Sequence, residues 1–250
     1  MDTYIINLKD SLSRRHYMEN LLKEYEDVLQ LHFIDAFDGR KLTQSQMQKL
    51  FNQDAAFKHY GRTLLGGEIG CTLSHRKCCE ILVNNNCNVA LVLEDDLILQ
   101  QCDFREGLRV AESYLLNENG PAIVLLSGDY WYYYKKQITS DYALAKVREA
   151  VCTQAYLINN EAARVILNMP LCYLADDWFS IKKAGVQLFA LYPHIADQDR
   201  VSFETEISDL YQGFNRKELT FIRRVKSYAR AIIKRVLLVL GKFESKNFKS

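Results

Sequence analysis

The sequence has little of what marks a disordered, fibrous or membrane-spanning chain. Its 250 residues include only 3 prolines and 11 glycines. No run of about 18 apolar residues is present, so no segment of the sequence is predicted to cross a bilayer. The N-terminus shows no basic segment followed by a long apolar stretch, so we expect no signal peptide and a cytoplasmic location. With 48% apolar residues, the composition predicts one main globular domain with a substantial core.

The cysteines do not show the pattern of a secreted disulfide framework. There are seven of them, which is an odd number, and Cys78 is adjacent to Cys79. No histidine lies at the spacing of a zinc finger. We therefore expect reduced thiols in a reducing compartment, most of them buried as small apolar side chains.

The net charge of +1 conceals an uneven distribution. Residues 221–250 contain nine basic residues and one acid, so this tail carries about +8 and the rest of the chain about −7. An acidic body argues against nucleic acid as a partner, because phosphate contacts need a basic surface. We treat residues 1–220 as the main domain and residues 221–250 as a separate basic tail.

Apolar residues in the tail recur at helical spacing over residues 221–240. A basic amphipathic helix is typical of a segment that binds an anionic membrane surface, and this predicts a peripheral protein on the inner face of the cytoplasmic membrane. The alternative is a C-terminal helix that packs on the core with its basic face in water and takes part in a homodimer.

Strand and helix patterns alternate along the first 200 residues, as in an α/β fold. Fully apolar runs imply strands that are buried on both faces, which is typical of a parallel sheet flanked by helices. We therefore predict six or seven strands, of which six are assigned to residues 3–8, 31–35, 89–93, 122–126, 155–158 and 186–192.

Several other segments have distinct patterns. Residues 43–51 begin with a capping box and predict a short helix, and residues 68–83 and 161–167 predict two more. Residues 52–67 are interpreted as a loop that covers a site.

The aromatic run at residues 130–134 either lines a sugar-acceptor site or forms an edge strand with stacked rings.

Three consecutive carboxylates, Glu94, Asp95 and Asp96, follow a buried apolar strand. In open α/β sheets, ligands bind outside the carboxyl ends of the strands. Alternation along the strand places Glu94 and Asp96 on one side and Asp95 on the other. A Mn²⁺ or Mg²⁺ ion would relieve the repulsion between these carboxylates while a diphosphate completes its ligand shell. A solvated turn after the strand is the alternative interpretation.

The block Gly67-Glu-Ile-Gly-Cys-Thr-Leu-Ser-His75 is followed by Leu-Val-Leu-Glu-Asp-Asp at residues 91–96. These two segments are the most specific part of a resemblance to glycosyltransferase family 25, which includes bacterial lipooligosaccharide galactosyltransferases and the collagen galactosyltransferases of animals. Weaker likenesses extend from about residue 3 to about residue 206 and include residues 4–8, 13–15, 34–39, 155–164 and 174–179. In the last of these segments, Ala175 and Asp176 depart from the proline and valine of the family pattern.

The resemblance implies a GT-A-like fold, a UDP-hexose donor and inversion at the anomeric carbon. It implies that Glu94 and Asp96 bind the metal and that Asp95 contacts the donor. The other residues that it places near the donor are Asn7, Arg15, Ser74 and His75. Without the resemblance, His75 reads as a helix residue bonded to a nearby carbonyl.

Inversion needs a base that deprotonates the acceptor hydroxyl, and the resemblance points to Asp177 with Asp176 as its competitor. An aspartate that caps the following helix is an equally good reading for one of the pair. The expected activity is galactosyl transfer to a lipid-linked lipooligosaccharide or lipopolysaccharide acceptor. The alternatives are a glucosyltransferase, a nucleotide-sugar hydrolase or nucleotidyltransferase, and a binding module with a degenerate metal site.

Overall fold

The structure, a computed structural model, describes residues 1–100, 102–151, 153–199 and 221–245, with the backbone alone for residues 221–227. The described strands are β1 (Asp2–Asn7), β2 (Gln30–Asp35), β3 (Val89–Glu94), β4 (Leu97–Leu99), β5 (Ala122–Leu125), β6 (Tyr130–Gln137), β7 (Ala143–Ala150), β8 (Ala155–Asn159), β9 (Gln187–Tyr192), β10 (Ala196–Gln198) and β11 (Phe243–Glu244). The described α-helices are α1 (Leu12–Leu22), α2 (Gln44–Leu50), α3 (Gln53–Tyr60), α4 (Gly66–Asn84), α5 (Phe104–Asn117), α6 (Asn160–Asn168), α7 (Trp178–Lys183) and α8 (Phe221–Val239).

Nine of these strands form one sheet in the order β11-β6-β7-β9-β5-β8-β3-β1-β2. Strands β1, β2 and β3 are parallel, as are β5 and β9, whereas β8 runs antiparallel to both β3 and β5. The predicted α/β class, with a sheet flanked by helices, is confirmed. The prediction of a parallel sheet of six or seven strands was wrong, because burial on both faces gives a strand an apolar sequence whichever way its neighbours run.

Helices cover both faces of the sheet and create two layers of core. On one face, Leu82 of α4 and Trp178 of α7 pack in the same cluster as Val92 of β3. On the other face, Met18 of α1 and Leu108 of α5 cluster with the strand neighbours of Val92. Each large apolar side chain buried in this way contributes about 1.5–3 kcal/mol to folding.

A small helical layer lies beside the sheet and corrects one prediction. Residues 53–60 form α3 instead of part of a loop, with the Asn52 side chain accepting a hydrogen bond from the amide of Ala55. Gly61 ends the helix with φ of 76°, a left-handed conformation that suits glycine. The helix was missed because its apolar residues, such as Ala56, bury against a separate small cluster.

The aromatic run forms part of β6, next to β11 at one edge of the sheet. Tyr130 and Tyr132 are buried, and the Trp131 ring centroid lies 4.5 Å from that of Phe243. The run is a strand, as one of the two interpretations predicted, but β11 lies outside it at the edge of the sheet and its ring pairs are tilted and not stacked. None of its residues lines the cleft described below.

Helix α8 lies against β6 through basic side chains. The Lys234 ammonium lies 3.0 Å from a Glu149 carboxylate oxygen and 4.2 Å from the ring centroid of Trp131. The Arg230 guanidinium lies 3.7 Å from the ring centroid of Phe179. The predicted helix is confirmed, but the alternative with its basic face in water needs correction, because aromatic rings on the body attract these two cations.

The outward face of α8 is apolar. Of the side chains that the structure describes, seven large apolar ones are exposed on α8 and the residue after it, and five of them recur every three or four residues to form one stripe, which consists of Tyr228, Ile232, Val236, Val239 and Leu240. Among the described helices, none has the length and apolar character needed to cross a membrane. The predicted domain boundary after residue 220 lies outside the described residues.

Candidate active site

An acidic cleft opens at the carboxyl ends of β1 and β3. These strands are adjacent and parallel, so their last residues emerge at the same edge of the sheet. The cleft encloses about 790 Å³ of space, part of which is open solvent. Its walls are formed by Ile6, Leu8, Arg14, residues 36–40, Gly67, Cys71, Ser74, His75, residues 94–96 and Gln198.

Backbone-to-backbone packing fixes the position of α4 beside this cleft. A Cβ atom on Gly70 would lie 2.4 Å from the carbonyl oxygen of Phe37, and one on Gly66 would lie 2.2 Å from that of Gly39. Any side chain at these positions would push the two segments apart. Glycine therefore lets the first turns of α4 lie directly against residues 37–39, which form the opposite wall.

Asp95 is held by two side chains from the start of the chain. Its Oδ2 accepts a hydrogen bond from Asn7 Nδ2 at 2.8 Å, and its Oδ1 accepts one from Arg14 Nη1 at 2.9 Å. All three side chains are largely buried. The charge of Asp95 is therefore compensated within the protein, and Asn7 supports the cleft from beneath.

Asp96 is buried with its charge less well compensated. Its Oδ2 accepts a hydrogen bond from Gln198 Nε2 at 2.9 Å and lies 3.9 Å from Arg14 Nη1, while Oδ1 has no hydrogen-bond partner among the described residues. Burial, followed by the charges of Glu94 and Asp95, raises the pKa of Asp96 to about 6. A bound cation would satisfy the free oxygen and relieve this repulsion.

Glu94 faces the helix α4. Its Oε1 accepts a hydrogen bond from Thr153 Oγ1 at 2.5 Å and lies 3.3 Å from Nε2 of His75. The other ring nitrogen of His75 lies 3.0 Å from the hydroxyl of Tyr156. The cysteine one turn earlier, Cys71, completes a group of three potential ligands with Glu94 and His75. The predicted interpretation of His75 as bonded to a backbone carbonyl is not what the structure shows.

Ser74 and Arg15, which were both predicted to lie near the sugar donor, occupy different places in the structure. Ser74 lines the cleft, but its hydroxyl donates to the carbonyl of Gly70 at 2.7 Å and accepts from the amide of Phe37 at 2.8 Å. Arg15 does not line the cleft, because it points along the outer side of α1, where it pairs with Glu19 at 3.1 Å and stacks on Phe33. Arg14 occupies the position beside the acidic residues instead.

Asp177 has a complete set of partners. Its carboxylate accepts hydrogen bonds from Tyr60 Oη at 2.9 Å, from Ser180 Oγ at 2.8 Å and from the Ser180 amide at 3.0 Å, and it lies 2.9 Å from His59 Nε2. Burial alone would raise the pKa of Asp177, but the hydrogen bonds from His59, Ser180 and Tyr60 outweigh burial and lower it. Asp177 thus serves as the N-cap of α7.

Asp176 is in the opposite electrostatic situation. Its side chain is exposed to solvent, yet enough protein surrounds it that desolvation raises its pKa. The charges of Asp177, Glu68 and Glu94 raise the pKa further, which places Asp176 within electrostatic reach of the acidic cleft. Of the two adjacent aspartates, Asp176 has the properties that suit proton transfer.

Several residues of the site were not predicted, namely Arg14, Cys71, Thr153 and Gln198. A signal for Arg14 was present, since it lies one helical turn before the buried Met18 and therefore on the inner face of α1. Cys71 likewise lies four residues before His75. No signal in the sequence brings Thr153 or Gln198 to the site, because both arrive through tertiary packing.

An acidic cleft outside the carboxyl ends of parallel strands is where α/β enzymes bind their ligands. The model of glycosyltransferase family 25 (LPS biosynthesis protein) matches residues 1–177. The chain therefore belongs to glycosyltransferase family 25.

Curated relatives include animal proteins of this family. Procollagen galactosyltransferases 1-A and 1-B of Xenopus laevis are 28% and 31% identical to this chain over 225 residues, which cover 84% of the chain and 35% of each relative. A glycosyltransferase 25 family member of Aedes aegypti is 37% identical over 97 residues, which cover 38% of the chain and 16% of the relative. The chain thus spans about a third of the length of the Xenopus relatives it matches.

Solved structures overlap the chain only loosely. The UTP-bound UGPase from Acinetobacter baumannii gives a TM-score of 0.43 at 8% identity, covering 76% of this chain and 85% of that one. The mannose-1-phosphate geranyltransferase from Thermus thermophilus gives a TM-score of 0.40 at 13% identity, covering 78% and 75%. The fold class given above rests on the sheet itself.

Proposed function

We propose that this chain transfers a hexose from a UDP-hexose donor to a lipooligosaccharide or lipopolysaccharide acceptor. Galactose is the preferred hexose, and the configuration at its anomeric carbon is inverted. The family membership supports glycosyl transfer, and the Xenopus relatives, which are named procollagen galactosyltransferases, support galactose. The family description, LPS biosynthesis protein, supports the acceptor. The single observation that carries the proposal is the acidic cleft at the carboxyl end of β3.

Glu94 and Asp96 are the residues that would hold a Mn²⁺ or Mg²⁺ ion. The free, buried Oδ1 of Asp96 and the raised pKa of that carboxyl both fit a cation at this position. Such an ion supplies Lewis-acid stabilisation of the charge that develops on the departing diphosphate. Asp95 is already neutralised by Arg14, so its role is to fix the edge of the cleft and to present an oxygen to the donor.

The residues at the mouth of the cleft suit the donor. The guanidinium of Arg14 lines the cleft and, while paired with Asp95, would offer further N–H donors to the diphosphate of the donor. Gly67 lies in the first turn of α4, whose N-terminal dipole favours an anion, and Ser74 lines the cleft two turns further along the helix. Asn7 acts through Asp95, and Arg15, on the outer side of α1, is not one of the residues that line the cleft.

Asp176 is the better candidate for the base that deprotonates the acceptor hydroxyl. A general base works best when its pKa lies near the working pH, and the pKa of Asp176 is raised towards that range. Asp177 has a lowered pKa and its oxygens are occupied by four partners. The structure therefore favours a positioning role for Asp177, through the cap of α7.

The apolar stripe on α8 supports binding to a membrane surface. Five apolar side chains face outward, and the tail that carries them has a charge of about +8. An anionic inner membrane face would offer both an apolar boundary and negative charge. A lipid-linked acceptor would be reached from the same surface. The contacts of Lys234 and Arg230 with the body hold this stripe outward.

The direct test of transfer uses the full chain with a panel of UDP-sugars and Mn²⁺. UDP-galactose should give the highest transfer to a lipooligosaccharide acceptor, and Asp96→Ala should reduce that transfer by about 100-fold or more. The matched control is Glu80→Gln, which removes an exposed acid on α4 and should leave transfer unchanged.

The panel also separates the competing functions. Preference for UDP-glucose would assign the glucosyltransferase alternative. Donor breakdown that needs no acceptor would assign the hydrolase. Absence of turnover with every donor would contradict the proposal and leave a binding module.

The membrane test is flotation with anionic liposomes. The double variant Ile232→Glu/Val236→Glu places two charges in the stripe and should abolish flotation. Leu116→Glu is the matched control, because Leu116 is an exposed apolar residue on α5, outside the tail. A double variant that still floats, but changes from dimer to monomer, would contradict membrane binding and assign the stripe to a homodimer.

A further inference from the structure

A thiol, an imidazole and a carboxylate meet on one wall of the cleft. One ligand atom from each of Cys71, His75 and Glu94 lies within 4.8 Å of the other two, and in the described ranges this is the one such group of three. The cluster therefore requires an explanation of its own.

Helix and strand geometry create the cluster. Cys71 and His75 are four residues apart on α4, so they project from the same face of the helix. Glu94 is the last residue of β3, and its side chain extends towards that face. Cys71 and Glu94 are partly accessible and line the cleft, which gives an ion a path from solvent.

His75 provides the observation that points to a ligand. The residue is only 5% exposed, and its Nε2 has no hydrogen-bond partner among the described residues. This nitrogen lies 3.3 Å from Glu94 Oε1 without the alignment of a hydrogen bond. In a tetrahedral zinc site, metal–nitrogen and metal–oxygen bonds of about 2.0–2.2 Å place two ligand atoms about 3.3–3.5 Å apart. The observed separation of 3.3 Å falls within this range.

Supporting contacts hold two of the ligands in orientation. His75 Nδ1 lies 3.0 Å from the hydroxyl of the buried Tyr156, and Glu94 Oε1 accepts a hydrogen bond from Thr153. Metal-binding histidines characteristically use their second ring nitrogen in such a contact, which fixes the ring and directs the first nitrogen to the metal.

We propose that Cys71, His75 and Glu94 form a binding site for a thiophilic divalent cation, in particular Zn²⁺. Sulfur and imidazole ligands favour Zn²⁺, whereas Mg²⁺ and Mn²⁺ favour oxygen. On binding, a zinc–sulfur bond replaces the S–H bond of Cys71 and the thiol proton passes to water. Three protein ligands leave the fourth position open to the cleft, where a water or another oxygen ligand binds.

The zinc site goes beyond the proposed transferase function and shares Glu94 with it. Zn²⁺ in this site therefore removes a carboxylate from the proposed Mn²⁺-binding pair and is expected to inhibit transfer by competition. Zinc binding is measured without donor or acceptor. Its failure would leave the transferase proposal intact, and a failed transfer assay would leave the zinc site intact.

The test uses the reduced, metal-free full chain and Co²⁺ as a spectroscopic substitute for Zn²⁺. A thiolate–cobalt charge-transfer band in the near ultraviolet is expected at one equivalent, and Zn²⁺ should displace it. Cys71→Ser should remove the band and weaken Zn²⁺ binding by on the order of 100-fold or more. Cys87→Ser, at a half-buried cysteine outside the cleft, should retain both.

A second variant guards against misfolding of the first. His75→Gln removes the proposed ligand nitrogen, and circular dichroism of both variants confirms that they are folded. A band that persists in Cys71→Ser, or disappears in Cys87→Ser, would overturn the proposal. Absence of the band and of stoichiometric Zn²⁺ binding in the folded wild type would overturn it as well.

Discussion

The two edges of the sheet use different strand directions and carry different surfaces. At one edge β3, β1 and β2 are parallel, so their carboxyl ends meet and their polar end residues gather in one cleft. At the other edge β11, β6 and β7 are antiparallel, so consecutive strands end at opposite sides. That edge carries aromatic rings in contact and a helix held against them by the cations of its side chains. Parallel pairing brings the polar residues at the strand ends together at one site, whereas antiparallel pairing distributes the end residues over both sides of the sheet.

Two acidic groups in the cleft and two near it differ in how far the protein compensates their charges. The carboxylates of Asp95 and Asp177 accept hydrogen bonds that compensate their negative charges. Asp96 and Asp176 are less well compensated, and their pKa values are raised. Compensated groups hold structure and uncompensated ones are available for a ligand or a proton. Four predictions test the difference between compensated and uncompensated carboxylates and the difference between the two edges of the sheet.

The largest expected effect separates the two adjacent aspartates. Asp176→Asn should reduce transfer by about 100-fold or more, because it removes the proposed base. Asp177→Asn should keep transfer within about threefold but lower the free energy of unfolding by about 1–2 kcal/mol, because it weakens charge-assisted hydrogen bonds. Steady-state kinetics and urea denaturation measure the two effects. Loss of transfer in Asp177→Asn alone would restore that residue as the base.

Backbone packing at the cleft should give the next effect. Gly70→Ala places a Cβ against the carbonyl of Phe37 and should lower the free energy of unfolding by about 1–3 kcal/mol. It should also weaken UDP binding, measured by calorimetry, because the two walls of the cleft move apart.

The control for Gly70 is Gly120→Ala. Gly120 has φ of 112° and open space around it, so alanine there costs about 1–2 kcal/mol through backbone strain alone. UDP binding should remain unchanged in this variant. Equal UDP affinity in both variants would contradict the role given to the close contact.

The pH dependence of stability should differ in sign between the two aspartates. The folded pKa of Asp177 is lowered, so its stabilisation is present above an unfolded pKa of about 3.9 and is lost as the pH falls through the folded value. The folded pKa of Asp176 is raised, so its contribution is favourable at low pH and is lost as the pH rises through the folded value.

Thermal unfolding of both Asn variants between about pH 3 and pH 7 measures this difference. At neutral pH, Asp177→Asn should have a lower Tm than the wild type, and Asp176→Asn should have an equal or higher one. Both differences should shrink towards pH 3. Two variants that respond to pH in the same direction would refute the opposite shifts.

The smallest expected effect lies at the antiparallel edge. Lys234→Gln removes the ion pair with Glu149 and the contact with the Trp131 ring, and should lower the free energy of unfolding by about 0.5–1 kcal/mol. Transfer should not change. Arg235→Gln, at an exposed position on the same helix, is the control, and an equal effect there would show that the docking contacts contribute nothing specific.

Strands with apolar runs were predictable, whereas strands with mixed composition were not. Residues 89–93 and 155–158 match β3 and β8 closely. Strand β7 has the sequence Ala-Leu-Ala-Lys-Val-Arg-Glu-Ala, whose residues favour a helix, and it is a strand because β6 and β9 pair with both of its edges. Pairing between distant segments overrides local propensity.

The candidate site shows the same division. The acidic run at residues 94–96 was visible in the sequence because its residues are adjacent, and so was the helix that carries Ser74 and His75. Arg14 was mistaken for Arg15 because a shift of one residue on a helix turns a side chain by about a quarter of the circumference.

By itself, the sequence determined the α/β class, the order of the main apolar strands, the acidic end of β3 and the amphipathic tail helix, because each depends on residues close together in the chain. The tertiary structure decided which carboxylates are compensated, which of two adjacent aspartates is a cap, and which face of α8 points outward. It also brought Cys71 and His75 to Glu94. These outcomes depend on contacts between residues far apart in sequence, which only strand pairing and helix packing specify.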